Sequence, residues 1–207
     1  MRRAAANGVR GALTLLAFAL VFTALMSLTW WMTRDIVARN EQASRVALLA
    51  QVLPAFDNDL LADAIELPPA QAAALGGGRV YPARQRGRVV AFAVETSAPD
   101  GYSGEIKLLV GVARDGRVHG VRVIAHKETP GLGDYIDAAK SAWSTQFAGK
   151  SLDNPPPGAW AVKKDGGAFE YMAGATVSPR AVVKAVKRAL EQVRAHQAQW
   201  AADKEQQ

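Results

Sequence analysis

The stretch Gly104–His126, "GEIKLLVGVARDGRVHGVRVIAH", decides the fold. Its two halves are rich in valine and alternate apolar with polar residues on either side of Asp115-Gly116. Alternation with period two belongs to half-buried strands, and Asp-Gly between two such runs is a hairpin signal. Upstream, "VVAFAVETSA" (Val89–Ala98) carries the same pattern. Downstream the period changes. Gly131 and Gly133 bracket a turn, and Ile136, Ala139, Trp143 and Phe147 fall at helical spacing behind Asp134 as a candidate N-cap. Residues 154–172, "NPPPGAWAVKKDGGAFEYM", read as a proline-stiffened loop and two short strands around Asp165-Gly166-Gly167. Strands followed by helices, with adjacent hairpin pairing, predict an α+β domain over 78–200, an antiparallel sheet with flanking helices.

The N-terminal region has a different character. Gly11 to Met32 is uncharged and long enough to cross a hydrocarbon layer of about 30 Å at about 1.5 Å per residue. Trp30 and Trp31 stand where an interfacial anchor is expected. Arg2, Arg3 and Arg10 precede the run and favour a cytoplasmic N-terminus at 1–10, which puts the rest of the chain outside the cytoplasm. A cleaved signal peptide fits less well, because the apolar run exceeds a signal core and no A-x-A site follows it. Residues 33–77 read as a helical stalk ending at Pro54 and a connecting segment of loops and short elements. Residues 201–207 read as a polar tail.

Composition sets limits on the chemistry. The 207 residues carry a formal net charge of +6 and no cysteine, so disulfides, thiolate metal sites and ordinary iron–sulfur clusters are excluded. The basic balance fits an anionic lipid surface or an acidic partner. Aromatic residues are not interleaved with basic ones, so a nucleic-acid stacking platform has no support. His119, His126 and His196 are scattered, and no metal site is expected. The triple glycine Gly76–Gly78 lacks a following Lys-Ser/Thr and reads as a turn. Lys163 and Lys164 read as a solvated strand end, Trp143 and Trp160 as packing residues, and Asp57, Asp59 and Asp63 as an acidic loop face.

The last helix opens inside "EYMAGATVSPRAVVKAVKRAL" (Glu170–Leu190). Ser178 is a good N-cap and Pro179 suits the first helical position, while Val182, Val186, Leu190 and Val193 form a buried stripe. Arg180, Lys184, Lys187 and Arg188 mark a solvated or partner-facing side. Thr176 then sits in front of free backbone N–H groups, an arrangement suited to an anion. Gly174 and Ala175 leave room for a large ligand to approach the backbone. Capping alone also accounts for this pattern, and a threonine hydroxyl is a poor nucleophile without an activating base or metal.

Gly174-Ala175-Thr176-x-Ser178 resembles the flavinylation motif of FMN-binding domains, in which FMN is joined through its phosphate to the threonine hydroxyl. "GYSGEIKLLVGV" (Gly101–Val112) and "HKETPGLGD" (His126–Asp134) resemble segments of the same family in the same order. With the N-terminal anchor, the likeness is nearest to G subunits of Rnf complexes, the ion-translocating ferredoxin:NAD oxidoreductases of bacterial inner membranes, called Rsx in some bacteria. C subunits of sodium-translocating NADH:quinone oxidoreductases are more distant.

The resemblance implies a single-pass inner-membrane protein with its domain on the periplasmic side. It implies FMN in a phosphodiester bond to Thr176, installed by a separate flavin transferase using FAD and magnesium. It also implies partnership with the other membrane and redox subunits and with the lipid bilayer. By the same resemblance Glu128, Thr129, Pro130, Gly131, Leu132 and Gly133 lie against the flavin beside Gly174, Ala175, Thr176 and Ser178. One letter departs: Glu170 occupies a position where the family often has aspartate. Two other functions stay open on the residues alone. A flavin reductase for a diffusible substrate lacks a dinucleotide fingerprint. A non-redox anchored module would bind a partner through its basic helix.

Overall fold

The computed structural model describes residues 2–202, with side chains from Arg10 onward. The side chains of Arg2 and Arg3 and most of the expected polar tail, 203–207, lie outside that range. The chain divides into two compact units between Arg45 and Val46.

Helix α1 (Arg2–Ala50), which supplies the first unit and runs a few residues past it, is apolar and long enough over Arg10–Ala50 to cross a membrane, and none of its apolar window is buried. Leu13, Phe18, Phe22 and Trp31 are exposed, and the Phe18 and Phe22 rings stack only on each other, at 6.4 Å. Hydroxyls in this stretch are satisfied within the helix. Thr14, Thr29 and Thr33 donate to the carbonyls of Arg10, Leu25 and Thr29 at 2.9, 2.8 and 2.8 Å. That is what a medium without hydrogen-bonding solvent demands. Arg34 stacks over Trp30 at 5.4 Å, at the polar end of the run. No break separates the expected anchor from the expected stalk, because α1 continues to Ala50.

The second unit is built on a five-stranded antiparallel meander in the order β1 to β5. The strands are β1 (Ile65–Glu66), β2 (Arg79–Gln85), β3 (Arg88–Gly101), β4 (Gly104–Ala113) and β5 (Val118–Ala125). The predicted hairpin joins β4 to β5. Gly116 (φ 83°) makes the turn, and the Arg117 N–H donates to Asp115 Oδ1 at 3.0 Å. A second tight turn, Arg86-Gly87, has both residues at positive φ (52° and 77°) and joins β2 to β3. Asp57 accepts from the Arg86 N–H at 2.7 Å, and Asn58 Oδ1 accepts from the Arg84 N–H at 2.7 Å. The acidic loop is therefore a clamp on this hairpin rather than a free face.

Alternation places different residues on the two sides of the sheet. Phe92, Val94, Ile106, Leu108 and Val110 face the main core with Val182, Val186 and Leu190 of helix α3 (Val177–Ala202). Small Ala91 and Ala93, with Tyr81 and Leu109, face Leu49, Val52, Leu53 and Leu60 on the other side. The chain around Val52 crosses the sheet so closely that a Cβ on Gly111 would lie 1.7 Å from the Val52 carbonyl oxygen. That contact explains the glycine in the middle of an otherwise branched strand. Helix α2 (Pro69–Leu75), which the sequence left among loops, ends at Gly76 in the left-handed region (φ 68°).

Two local expectations change. The helix expected from Asp134 to Phe147 is a pair of 3-10 turns, Gly133–Ile136 and Trp143–Phe147. The strands expected around Gly166-Gly167 are 3-10 turns at Pro157–Ala159 and Lys163–Asp165, plus a single parallel bridge from Val162 to Phe169. Aromatic packing holds this irregular region instead of a ladder. Phe169 lies 4.8 Å from Phe147 and 4.9 Å from Trp160, and Trp143 lies 5.4 Å from Phe147.

Candidate functional site

Helix α3 starts earlier than its Ser-Pro pair predicts. The Arg180 N–H donates to the Thr176 carbonyl at 3.3 Å, so Thr176 is the N-cap and Val177 the first helical residue. Ser178 and Pro179 then occupy the second and third positions. A threonine N-cap ordinarily accepts with its hydroxyl from the second or third backbone N–H. Pro179 has no N–H to offer, and among the described residues the Thr176 hydroxyl makes no hydrogen bond. The N–H groups of Val177 and Ser178 are likewise without acceptors among the described residues. A half-buried hydroxyl and two free amides thus meet at the positive end of a 26-residue helix.

Ser178 is buried and does other work. Its hydroxyl donates to Glu128 Oε2 at 2.6 Å, while Glu128 Oε1 accepts from the Ser103 N–H at 3.1 Å. The Glu128 N–H donates to His126 Nδ1 at 3.1 Å. Glu128 therefore ties the start of α3 to the loop after β5 and to the turn between β3 and β4. Glycines admit this carboxylate. A Cβ on Gly133 would lie 2.7 Å from Oε2, and one on Gly101 would lie 2.9 Å from Oε1. Gly131 (φ 77°) turns the loop, its N–H donating to buried Asp134 Oδ1 at 2.8 Å. Asp134 caps this turn and not an α-helix.

The segment before Thr176 is held by side chains. The Tyr135 hydroxyl donates to the Ala175 carbonyl at 3.1 Å and accepts from the Met172 N–H at 3.0 Å. Burial pushes the Tyr135 phenol above its ordinary pKa, so the hydroxyl stays protonated. The Glu170 N–H donates to Gln146 Oε1 at 2.7 Å, and its carbonyl accepts from Trp143 Nε1 at 2.7 Å. The Glu170 carboxylate points to solvent and pairs with Lys163.

These elements enclose a cavity of about 370 Å³ lined by Tyr102, Glu128, Thr129, Leu132, Gly133, Gly174, Ala175, Thr176, Val177 and Ser178. Eight of the ten residues singled out in the sequence line it. Pro130 and Gly131 do not; they form the exposed tip of the loop. Tyr102 and Val177 were missed. The signal for Tyr102 was its place in Gly101–Gly104, whose glycines both pair across the β3–β4 turn. Tyr102 is 71% exposed, Leu132 48% and Val177 38%, an unusual apolar rim on a folded domain.

The basic side of α3 is engaged within the domain. Arg180 makes a bidentate pair with Asp165 at 2.5 Å for each bond, which lowers the Asp165 pKa and raises that of Arg180. Lys184 reaches Asp100 at 3.1 Å, Arg188 the Ser97 carbonyl at 2.7 Å, and Arg194 Asp153 at 2.6 Å. These contacts tie loops to the helix, so the side expected to be solvated or partner-facing is solvated and already paired within the domain. No group of three metal-ligating side chains occurs among the described residues.

The FMN-binding domain family matches residues 101–191, and the RnfG N-terminal region matches residues 1–52. The G subunit of an ion-translocating oxidoreductase complex of Pseudomonas aeruginosa is 49% identical over 185 residues, covering 88% of this chain and 86% of its own. The proteins of the same description from Vibrio cholerae and Aliivibrio fischeri are 45% and 44% identical. They cover 92% and 91% of this chain, and the same shares of their own.

Proposed function

Since the chain belongs to the G subunits of ion-translocating oxidoreductase complexes, we propose that it is their membrane-anchored flavin carrier, with FMN joined through its phosphate to Thr176. The observation that carries this reading is the Thr176 hydroxyl, which has no hydrogen-bond partner among the described residues. It lies in a cavity wall beside the Val177 and Ser178 amides, which lack acceptors among the same residues, at the start of a long helix. The amides and the helix dipole would offset the charge left on a phosphodiester. Leu132, Tyr102 and Val177 offer an apolar rim for a flat ring. Thr129 and the backbone of Gly133 and Gly174 offer polar contacts and close approach. The domain residues involved all fall within the proposed 78–200 boundary.

Bound FMN supplies the electron chemistry, and the chain supplies attachment, orientation and electrostatic setting. Glu128 fixes the helix start through Ser178, and Tyr135 fixes the turn that leads into Thr176. Electrons would pass between this flavin and cofactors of partner subunits in a ferredoxin:NAD oxidoreductase. Arg10 before the apolar run supports a periplasmic domain on an inner-membrane anchor, although Arg34 and Arg39 follow the run. A covalent bond suits that side of the membrane, where a dissociated cofactor would be lost. A separate flavin transferase would install it.

The test is co-expression of the full chain with a flavin transferase, followed by a denaturing gel viewed under ultraviolet light and by intact mass. Wild type and Thr176→Ser should carry one FMN, and Thr176→Ala none. A fluorescent Thr176→Ala band refutes the assignment. A dark wild type beside an active transferase favours the non-redox module.

A further inference from the structure

Between Phe169 and the start of α3 the chain has no regular ladder, yet backbone groups of Glu170, Met172 and Ala175 are held by side chains. Gln146 and Trp143 take the N–H and carbonyl of Glu170. One side chain, Tyr135, holds the next turn at both ends, accepting from Met172 and donating to Ala175. The turn is closed by the Ala175 N–H on the Met172 carbonyl at 3.1 Å and by Gly174 at φ 88°. Tyr135 itself is fixed. Its ring is buried edge-on to Trp143 at 5.7 Å and 90°, and its carbonyl accepts from Ser141 Oγ at 2.6 Å.

We infer that Tyr135 is the positioning residue for flavin attachment: by pinning the Ala175 carbonyl it sets the backbone angle at which Thr176 presents its hydroxyl to the cavity. This rests on the reading that Thr176 takes the flavin phosphate. In that reaction Thr176 Oγ1 bonds to the phosphorus of the FMN half of FAD. The bond from that phosphorus to the AMP half breaks, AMP leaves, and the hydroxyl proton passes to the transferase. Nothing is oxidised or reduced. The rate depends on where Oγ1 sits relative to the phosphorus, and a displacement of about 1 Å costs up to roughly a hundredfold. Only a phenol at 135 can both accept from Met172 and donate to Ala175. Phenylalanine keeps the ring and loses both contacts.

The experiment measures initial rates of flavin incorporation into the detergent-solubilised full chain, with purified transferase, FAD and magnesium, by intact mass. Tyr135→Phe should slow incorporation about tenfold or more and speed hydrogen exchange at the Met172 amide. Thr96→Val removes a different buried hydroxyl, one that donates to the Leu75 carbonyl at 2.6 Å, and serves as the stability control. It should incorporate at the wild-type rate. Incorporation by Tyr135→Phe at the wild-type rate overturns the proposal, as does equal slowing in Thr96→Val. In the wild type the Met172 amide should be protected, and unprotected exchange there overturns the proposal without any variant. Label on Thr176→Ala removes the attachment reading itself, and Tyr135 positioning with it. Label absent from Thr176→Ala but undiminished on Tyr135→Phe removes the positioning claim alone.

Discussion

Gly133→Ala tests whether the Glu128–Ser178 bond organises the start of α3. Gly133 is buried, with backbone angles an alanine can adopt, so the cost of the change is steric. The added methyl carbon would lie 2.6 Å from Ser178 Oγ and 2.7 Å from Glu128 Oε2, the two atoms of the 2.6 Å hydrogen bond. Both groups are buried, so neither can swing into solvent. Overpacking of this kind costs about 1–3 kcal/mol, and a weakened hydrogen bond to a charged group about 1.5–3 kcal/mol. The two overlap, since one displacement relieves the first by causing the second, and a total of about 2–4 kcal/mol follows. For a folded unit of this size that lowers the melting temperature by roughly 5–15 °C. Gly131→Ala, two residues earlier, is the comparison. Its methyl would meet nothing within 4 Å, and only the positive φ of 77° is unfavourable, at about 1–2 kcal/mol. Near-ultraviolet circular dichroism during heating reads both variants in detergent. A Gly133→Ala protein that melts with the wild type, or above Gly131→Ala, refutes the claim that this hydrogen bond leaves no space between loop and helix.

Three further outcomes follow from other parts of the domain. Gly111→Ala should prevent stable docking of the 49–60 segment and cost more than about 4 kcal/mol, because its methyl meets the Val52 backbone and not a movable side chain; limited proteolysis between Ala50 and Ile65 reads this directly. Arg180→Gln should destabilise the domain at neutral pH. Because Arg180 depresses the Asp165 pKa, that contribution is present above the ordinary carboxylate pKa and is lost as pH falls through the lowered one. The melting gap between variant and wild type should therefore close on acidification, and shrink with salt. Tyr81 is held un-ionised by burial and by its 2.7 Å bond to Glu95, which push its pKa up to about 12. Its stabilising effect is full below the ordinary tyrosine value and is lost as pH rises through about 12, so Tyr81→Phe should remove the last-ionising step from the tyrosinate absorbance titration.

What the sequence disclosed and what it hid divide along a physical line. Strands β3 to β5 and their Asp115-Gly116 turn were legible because alternation and turn chemistry are local. So was the apolar helix. The 3-10 turns at Gly133–Ile136 and Trp143–Phe147 were not. The spacing of Ile136, Trp143 and Phe147 imitates a helix, but Trp143 and Phe147 find Glu170 and Phe169, and their neighbour Tyr135 finds the Met172–Ala175 turn, far along the chain. The site shows the same split. Thr176 and the 128–133 loop stood out as short motifs, whereas the cap assignment was wrong by two residues. Ser178 looks like a cap because local statistics favour Ser before Pro. Its hydroxyl is instead taken by Glu128, fifty residues earlier in the chain. That long-range bond shifts the cap to Thr176, whose hydroxyl then finds Pro179 where a capping N–H would normally be. Replacing Pro179 with alanine would restore an N–H at the third position. It should draw the Thr176 hydroxyl into an ordinary cap, slowing flavin incorporation while stabilising the helix start by about 1 kcal/mol. An incorporation rate unchanged by Pro179→Ala would show that the hydroxyl is available for some other reason.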